Sequence, residues 1–258
     1  MSSTETQPLA PGSLAGKRAL VTGSSRGIGA DTVKYFAQAG ASVVINYRNK
    51  EARALKLVDQ LRDGGAEAIA VGADLTDADS VQGLVDTIRE QLGGLDILVL
   101  NASGGMESGM EPDYALKLNR DAQVDFLSAV RPLLGPGSRI VFVTSHQAHF
   151  IETTDTMPEY RPVALSKRAG EDALRELIPS LEADGISFVV VSGDMIEGTI
   201  TATLLQRANP NAIESRREAA GRLYNVSEFA AEVALAAVEP VPANNTRYVG
   251  DVTEFLNA

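Results

Sequence analysis

The chain has 258 residues, of which 44% are hydrophobic, and this length and composition predict one large folded domain. The formal net charge of −11 argues against nucleic acid and anionic membranes as partners, because both attract basic proteins. Cysteine is absent and histidine occurs twice, which excludes disulfides and a cysteine zinc site and argues against a histidine-rich metal site. We therefore predict no bound metal.

The sequence also carries little that would direct the chain to a membrane. No apolar run approaches the roughly 20 residues of a membrane-spanning helix. The first residues, MSSTETQPLAPGS, lack the charged and apolar regions of a signal peptide. We expect a cytoplasmic protein with a flexible leader at residues 1–13 and a single domain at 14–258.

Strand and helix patterns alternate along the chain. Apolar runs predict strands at residues 17–22, 42–46, 67–71, 96–100, 139–144, 186–192 and 247–250. Helical spacing of apolar residues predicts helices at 27–39, 51–62, 80–92, 114–134, 163–181 and 227–238.

This alternation predicts an α/β fold with a parallel sheet covered by helices on both faces. Right-handed crossovers then give a doubly wound, Rossmann-type sheet of about seven strands. A barrel of eight βα units is the structural alternative. It fits less well, because only seven strands are visible and the glycine motif follows the first of them.

A glycine-rich turn joins the first strand to the first helix, at residues 19–29 with the sequence ALVTGSSRGIG. Gly23, Gly27 and Gly29 lack Cβ atoms, so backbone N–H groups can approach a pyrophosphate at the N-terminus of the helix. Strand, glycine turn and helix in this order indicate a dinucleotide site. The alternative is a turn that serves only helix packing.

The end of the second strand distinguishes the two nicotinamide dinucleotides. An acidic residue there would accept from the ribose 2′-hydroxyl of NAD, but the segment reads Asn46-Tyr47-Arg48-Asn49. Arg48, helped by Arg26 in the glycine turn, can pair with a 2′-phosphate through its planar guanidinium. We therefore predict NADP(H) as the cofactor. The alternative is that both arginines are ordinary surface charges.

Further motifs extend over nearly the whole chain. They are TGSSRGIG at 22–29, Asp74-Leu75 after the third strand, LNASG at 100–104, Asn119, Ser145 after the fifth strand, Lys167, Ser192-Gly193 after the sixth strand, and Thr199. From about residue 14 to residue 257 this set resembles the short-chain dehydrogenase/reductase family. The corresponding family motifs are, in the same order, TGxxxGxG, an acidic residue that contacts adenine, NNAG, an active-site asparagine, a catalytic serine, the lysine of YxxxK, Pro-Gly, and the nicotinamide loop that follows it.

The resemblance implies a nicotinamide dinucleotide site and a homodimer or homotetramer. With the end of the second strand, it gives as cofactor-binding candidates Gly23, Ser25, Arg26, Gly27, Ile28, Gly29, Asn46, Arg48, Asp74, Leu75, Asn101, Ala102, Ser103, Lys167, Gly193 and Thr199. It implies catalytic roles for Asn119, Ser145 and Lys167.

One position departs from the family pattern. The family tyrosine that exchanges a proton with the substrate oxygen stands four residues before the lysine, where this chain has Val163. The nearest tyrosine is Tyr160, next to the predicted helix start at Pro162. His146, with His149 close by, is a second candidate proton donor, because histidine titrates near neutral pH. The alternative for both histidines is an ordinary polar role in a loop.

Three functions are compatible with these residues. The first is an NADPH-dependent ketoreductase that uses Ser145 and Lys167. Its proton comes from Tyr160, from a histidine, from water, or from an acidic hydroxyl of the substrate itself. The second is a weakly active or inactive NADP-binding sensor or scaffold. The third keeps the fold for an isomerase or lyase reaction without hydride transfer. The expected partner of the first is a small carbonyl compound.

Overall fold

The computed structural model describes residues 7–106, 109, 111 and 113–257. Seven parallel strands form one open sheet, in the order β3-β2-β1-β4-β5-β6-β7. The strands are β1 (Arg18–Val21), β2 (Ser42–Tyr47), β3 (Ala68–Gly72), β4 (Leu95–Leu100), β5 (Leu134–Ser145), β6 (Ser187–Gly193) and β7 (Thr246–Val249). The open edges at β3 and β7 exclude the barrel and confirm the doubly wound, Rossmann-type prediction.

Helices connect the strands across both faces of the sheet. They are α1 (Gly27–Gln38), α2 (Glu51–Asp63), α3 (Ala78–Leu92), α4 (Tyr114–Leu116), α5 (Ala122–Val130), α6 (His146–His149), α7 (Arg161–Arg175), α8 (Ile178–Ala183), α9 (Ile200–Ala208), α10 (Ala212–Ala220), α11 (Val226–Ala236) and α12 (Thr253–Leu256). A π-helical turn at Lys117–Asp121 joins α4 to α5, and a 3₁₀ turn at Arg131–Leu133 follows α5.

Alternate side chains of each strand point to opposite faces of the sheet. Val21 on β1 therefore belongs to one core cluster, with residues of α1, α2 and α11, and its neighbour Leu20 to the other, with residues of α3, α5, α7 and α8. A third, smaller cluster includes Tyr160, Val163, Met195 and Leu205. This third cluster lies over the carboxyl ends of β5 and β6, because its residues follow those strands in the chain.

Two predicted helices are interrupted. The pattern at 114–134 contains the π-helical turn and ends in the 3₁₀ turn, which has Pro132 in its first turn. The pattern at 163–181 divides into α7 and α8, where Pro179 stands near the start of α8 and cannot donate a backbone hydrogen bond. The sequence pattern does not predict α6, α9, α10 and α12, because each has nine residues or fewer, too short for a clear helical spacing of apolar residues.

The chain packs against the domain earlier than the predicted boundary at residue 14. Leu9 and Leu14 are both 5% exposed and belong to the core cluster of α1, and Leu14 N donates to Ala39 O at 2.9 Å. Residues 9–13 are therefore part of the domain, and residues 1–6 of the predicted leader lie outside the described residues. None of the helices in the described ranges is long and apolar enough to cross a membrane.

Candidate active site

The glycine turn after β1 brings its backbone against the loop after β4. Gly23 has a φ of 63°, and a Cβ there would lie 3.1 Å from the Cα of Ala102. A Cβ on Gly29 would lie 2.7 Å from Asn101 Nδ2, well inside van der Waals contact. Glycine at both positions therefore allows the start of α1 to sit directly on the β4 loop.

Buried polar side chains fix this junction. Asn46 at the end of β2 accepts from Gly23 N at 3.0 Å, and its Nδ2 donates to Ala73 O at 3.2 Å. The Thr22 hydroxyl accepts from the backbone N–H groups of Asn101 and Ala102 at 2.9 and 3.0 Å. The ends of β1, β2, β3 and β4 are thus held together around the entrance to α1.

A cleft of about 620 Å³ runs along the carboxyl edge of the sheet from this junction. Most of the predicted cofactor residues line it, namely Gly23, Ser25, Arg26, Gly27, Ile28, Asn46, Arg48, Asp74, Leu75, Asn101, Ala102, Ser103, Lys167 and Thr199. Gly29 and Gly193 do not. A Cβ on Gly29 would collide with Asn101, and a Cβ on Gly193 would lie 2.3 Å from the Phe229 ring, so close packing requires glycine at both positions.

One end of the cleft is strongly basic, although the chain as a whole is acidic. The side chains of Arg26, Arg48, Lys50 and Arg53 are exposed there and line the cleft. Arg48 donates to the hydroxyl of Tyr114, and its guanidinium lies 5.8 Å from the centre of that ring. In the described part of the chain, no ion pair with an acidic side chain neutralises any of the four cations.

Ser145 and Tyr160 meet at the other end of the cleft. Ser145 ends β5 and caps α6, and Tyr160 is the residue before the first turn of α7. The two hydroxyl groups are 3.1 Å apart, and Tyr160 is only 5% exposed. Burial raises the pKa of the Tyr160 phenol, and the hydrogen bond with Ser145 lowers it less. The phenol is therefore protonated at neutral pH, as a proton donor must be.

Lys167 lines the same part of the cleft from the second turn of α7. Loss of hydration lowers the pKa of its ammonium to about 8, with Glu171 one turn later opposing the shift. Among the described residues, no hydrogen bond or ion pair engages this ammonium. Val163 lies one turn before Lys167, is 4% exposed and packs in the third apolar cluster.

Asn119 is close to the site but does not line the cleft. It lies in the π-helical turn, where its Nδ2 donates to Gly104 O and Ser166 Oγ, both at 2.9 Å. A Cβ on Gly170 of α7 would lie 1.9 Å from Asn119 O, so the two helices touch through their backbones. Asn119 therefore joins the β4 loop to the helix that carries Lys167.

His146, predicted as a possible catalytic donor, is not available for that role. Its ring points away from the cleft, with Nδ1 2.8 Å from Ser192 Oγ and Nε2 3.1 Å from Val249 O. Burial lowers its pKa to about 4, so the ring is neutral at pH 7. His149 is also engaged, with Nδ1 2.8 Å from Glu171 and Nε2 3.1 Å from the Tyr248 hydroxyl.

Several cleft residues were missed at the sequence level. They are Gln147 in α6, Met157 before α7, Asp194 and Ile196 after β6, and Ile200, Thr201, Ala202 and Leu205 in α9. Their position after the carboxyl ends of β5 and β6 is the available sequence evidence, because ligands bind at that edge of open α/β sheets.

Comparison with known proteins agrees with this architecture. A hydroxynaphthalene reductase-like protein from Metarhizium majus is 37% identical over 171 residues, which are 64% of this chain and 62% of that protein. The chain thus matches less than two thirds of that curated relative.

Solved structures are similar over a larger part of the chain. A short chain dehydrogenase from Burkholderia cenocepacia J2315 in complex with NADP is 31% identical, with a TM-score of 0.76 over 92% of this chain and 98% of that one. The landomycin C-6 ketoreductase LanV with bound NADP and rabelomycin is 26% identical, with a TM-score of 0.70 over 89% and 91%. The family model for short chain dehydrogenases matches residues 17–209, and the chain therefore belongs to the short-chain dehydrogenase/reductase family.

Proposed function

We propose that the chain is an NADPH-dependent ketoreductase. The observation that carries the proposal is the composition of this cleft, which has four cations at one end and the Ser145–Tyr160 hydroxyl pair at the other. The cations suit a 2′-phosphate, and the glycine turn leaves room for a pyrophosphate at the N-terminus of α1. Similar structures contain NADP, which supports the same cofactor here.

The residues around the cleft fit this cofactor along its length. Arg26 and Arg48 would hold the 2′-phosphate, Asp74 and Leu75 the adenine end, and Lys167 the nicotinamide ribose. When bound, NADPH supplies a hydride to the carbonyl carbon of the substrate.

The chain itself supplies the proton. The Ser145 hydroxyl donates a hydrogen bond to the carbonyl oxygen, and Tyr160, at 3.1 Å from Ser145, is in reach of the same oxygen and transfers its proton there. The positive charge of Lys167 in the same cleft favours the phenolate that results. Tyr160 thus takes the role of the family tyrosine, whose position in the motif is occupied by Val163. The site is therefore an atypical form of the family site.

Two further functions remain for comparison. A nucleotide sensor needs the cleft but has no use for a pair of serine and tyrosine hydroxyl groups within it. An isomerase or lyase would not consume NADPH. The family resemblance also leads us to propose a homodimer or homotetramer, which the mass in solution from light scattering tests.

The test combines nucleotide binding with turnover. Purified protein is titrated with NADPH and then assayed for NADPH oxidation with 1-tetralones, diketones and quinones. The variant Tyr160→Phe should bind NADPH as tightly as the wild type and lose about 10²- to 10⁴-fold in turnover, the usual contribution of a general acid.

Tyr35→Phe is the matched control. Tyr35 is also a buried tyrosine whose hydroxyl meets a serine, with Ser227 Oγ at 2.6 Å, but it lies outside the cleft. Its loss should leave turnover unchanged. Full activity of Tyr160→Phe would exclude the phenol as donor, and tight NADPH binding without reduction of any carbonyl compound would favour the sensor.

A further inference from the structure

A glutamine beside Ser145 presents an unused hydrogen-bond acceptor to the substrate end of the cleft. Gln147 stands two residues after Ser145 in α6, is 7% exposed, and lines the cleft. Its Nε2 donates to Asp194 Oδ1 at 2.6 Å. Its Oε1 forms no hydrogen bond within the described part of the chain.

The orientation of this amide is set by its partner. Asp194 Oδ1 and Oδ2 accept from Arg216 Nε at 2.8 and 2.9 Å, and Oδ1 also accepts from Met195 N at 2.7 Å. A carboxylate paired with a guanidinium can only accept hydrogen bonds. Gln147 must therefore turn its NH₂ group to Asp194, which leaves the Oε1 atom on the other side.

Arg216 is itself held in place. Its Nη1 donates to Glu254 Oε2 of α12 at 2.8 Å, and its guanidinium lies 4.9 Å from the centre of the Phe255 ring. Burial opposes the charge of Arg216, but the hydrogen bonds with Asp194 and Glu254 outweigh it and raise its pKa. A series of hydrogen bonds thus runs from α12 through Arg216 and Asp194 to Gln147, and it sets the position of the Oε1 atom.

We propose that Gln147 Oε1 accepts a hydrogen bond from a hydroxyl group of the substrate, so that the preferred substrates are hydroxy ketones. The Cα atoms of residues two apart on a helical turn are about 5.4 Å apart. A substrate whose carbonyl oxygen is bound by the Ser145 hydroxyl can therefore place a hydroxyl group, a few bonds away, next to Gln147. The remaining walls, formed by Met157, Met195 and Leu205, suit an apolar carbon skeleton.

A substrate with a hydrogen-bond donor next to Gln147 Oε1 should bind more tightly than one with an acceptor there. A methoxy group of similar size has no proton to donate, and it displaces water from Oε1 without replacing the hydrogen bond. An unsatisfied buried acceptor of this kind lowers binding by about 5-fold or more. This inference rests on the proposed ketoreductase activity.

The experiment compares hydroxy-1-tetralones with the methoxy-1-tetralones of the same ring position, and with 1-tetralone itself. For the wild type, kcat/KM should be about 5-fold or more higher for at least one hydroxy compound than for its methoxy partner. In Gln147→Met this ratio should fall to about 1.

Gln82→Met is the matched control. Gln82 Nε2 also donates to an aspartate, Asp86, at 3.0 Å, but it lies outside this cleft, so its loss should leave the ratio unchanged. Asp194→Asn provides a second variant with Gln147 intact. Removing the carboxylate charge frees the amide to turn, so the hydroxyl preference should fall there as well.

Each outcome decides the proposal. A wild-type enzyme that reduces tetralones without any hydroxyl preference overturns the role of Gln147 and leaves the ketoreductase proposal standing. A preference that persists in Gln147→Met also overturns it. Absence of reduction for every carbonyl compound, with NADPH bound, overturns both proposals. Loss of the preference in Gln147→Met and in Asp194→Asn, but not in Gln82→Met, supports it.

Discussion

Replacement of Arg48 by alanine should weaken NADPH binding selectively. A hydrogen bond from a guanidinium to a phosphate contributes about 1.5–3 kcal/mol. Arg48 is exposed and already bonded to the Tyr114 hydroxyl, so screening by solvent and loss of that bond place its contribution near the lower value. A change of about 1.5 kcal/mol corresponds to an affinity about 10-fold lower for NADPH, and NADH should bind as before.

Calorimetric titration of the unliganded protein with both nucleotides measures this difference, at low and at moderate salt. The NADPH affinity of the wild type should fall with salt more steeply than that of Arg48→Ala, because one phosphate contact is lost. Tyr114→Phe, which frees Arg48 from its internal partner, should bind NADPH about 2-fold more tightly.

Arg89→Ala controls for the loss of an exposed positive charge, since Arg89 pairs with Asp86 on α3 away from the cleft. Its effect on both nucleotides should be negligible. If Arg48→Ala weakens NADH as much as NADPH, or leaves NADPH unaffected, the arginine does not contact the 2′-phosphate and the assignment of the basic end is wrong.

Three further predictions concern packing and titration. Gly170→Ala places a Cβ 1.9 Å from Asn119 O and should lower the free energy of unfolding by about 3 kcal/mol. In Gly83→Ala the Cβ meets open space on α3, so this control should raise the free energy of unfolding by about 0.5–1 kcal/mol. Urea unfolding measures both values. His146→Asn should destabilise the protein by about 2 kcal/mol or more yet keep the pH–rate profile of the wild type, and a lost inflection would return His146 to the list of donors. The pKa of Lys167 is lowered to about 8 in the folded state, so the unfolded state binds more protons than the folded state above that pH. The free energy of unfolding of the unliganded wild type should therefore rise relative to that of Lys167→Met between pH 8 and about 10. A constant difference between the two free energies across this range would contradict the lowered pKa.

The nucleotide half of the site could be predicted because it depends on local sequence. A buried strand, a turn of glycines and an amphipathic helix follow one another within about 20 residues, and each has a recognisable pattern. Arg48 and Asp74 then follow from the strand ends, since parallel strands finish at the same edge of the sheet. Gly29 is a cofactor candidate for the same reason, and the structure adds that a Cβ at this position would collide with Asn101.

The substrate half depends on orientation within a single turn, which the sequence does not specify. His146 and Gln147 are adjacent, both polar, and both next to Ser145. The short helix α6 turns His146 toward Ser192 of β6 and Gln147 toward the cleft. The support of Gln147 comes from Asp194 and, through it, from Arg216 in a helix that the apolar pattern did not reveal.

Tyr160 shows why position in a motif and position in space must be separated. The rule that residues four apart share one face of a helix correctly relates Val163 to Lys167, because both belong to α7. The rule does not apply to the residue before the helix, because its backbone is not part of the regular helix and its side chain can point in another direction. Tyr160 occupies that place, and its hydroxyl lies 3.1 Å from Ser145, while Val163 fills the apolar cluster beside it. A proton donor must lie within hydrogen-bond reach of the reacting oxygen, so the role that we propose for Tyr160 depends on this position beside Ser145 and not on the spacing of the YxxxK motif.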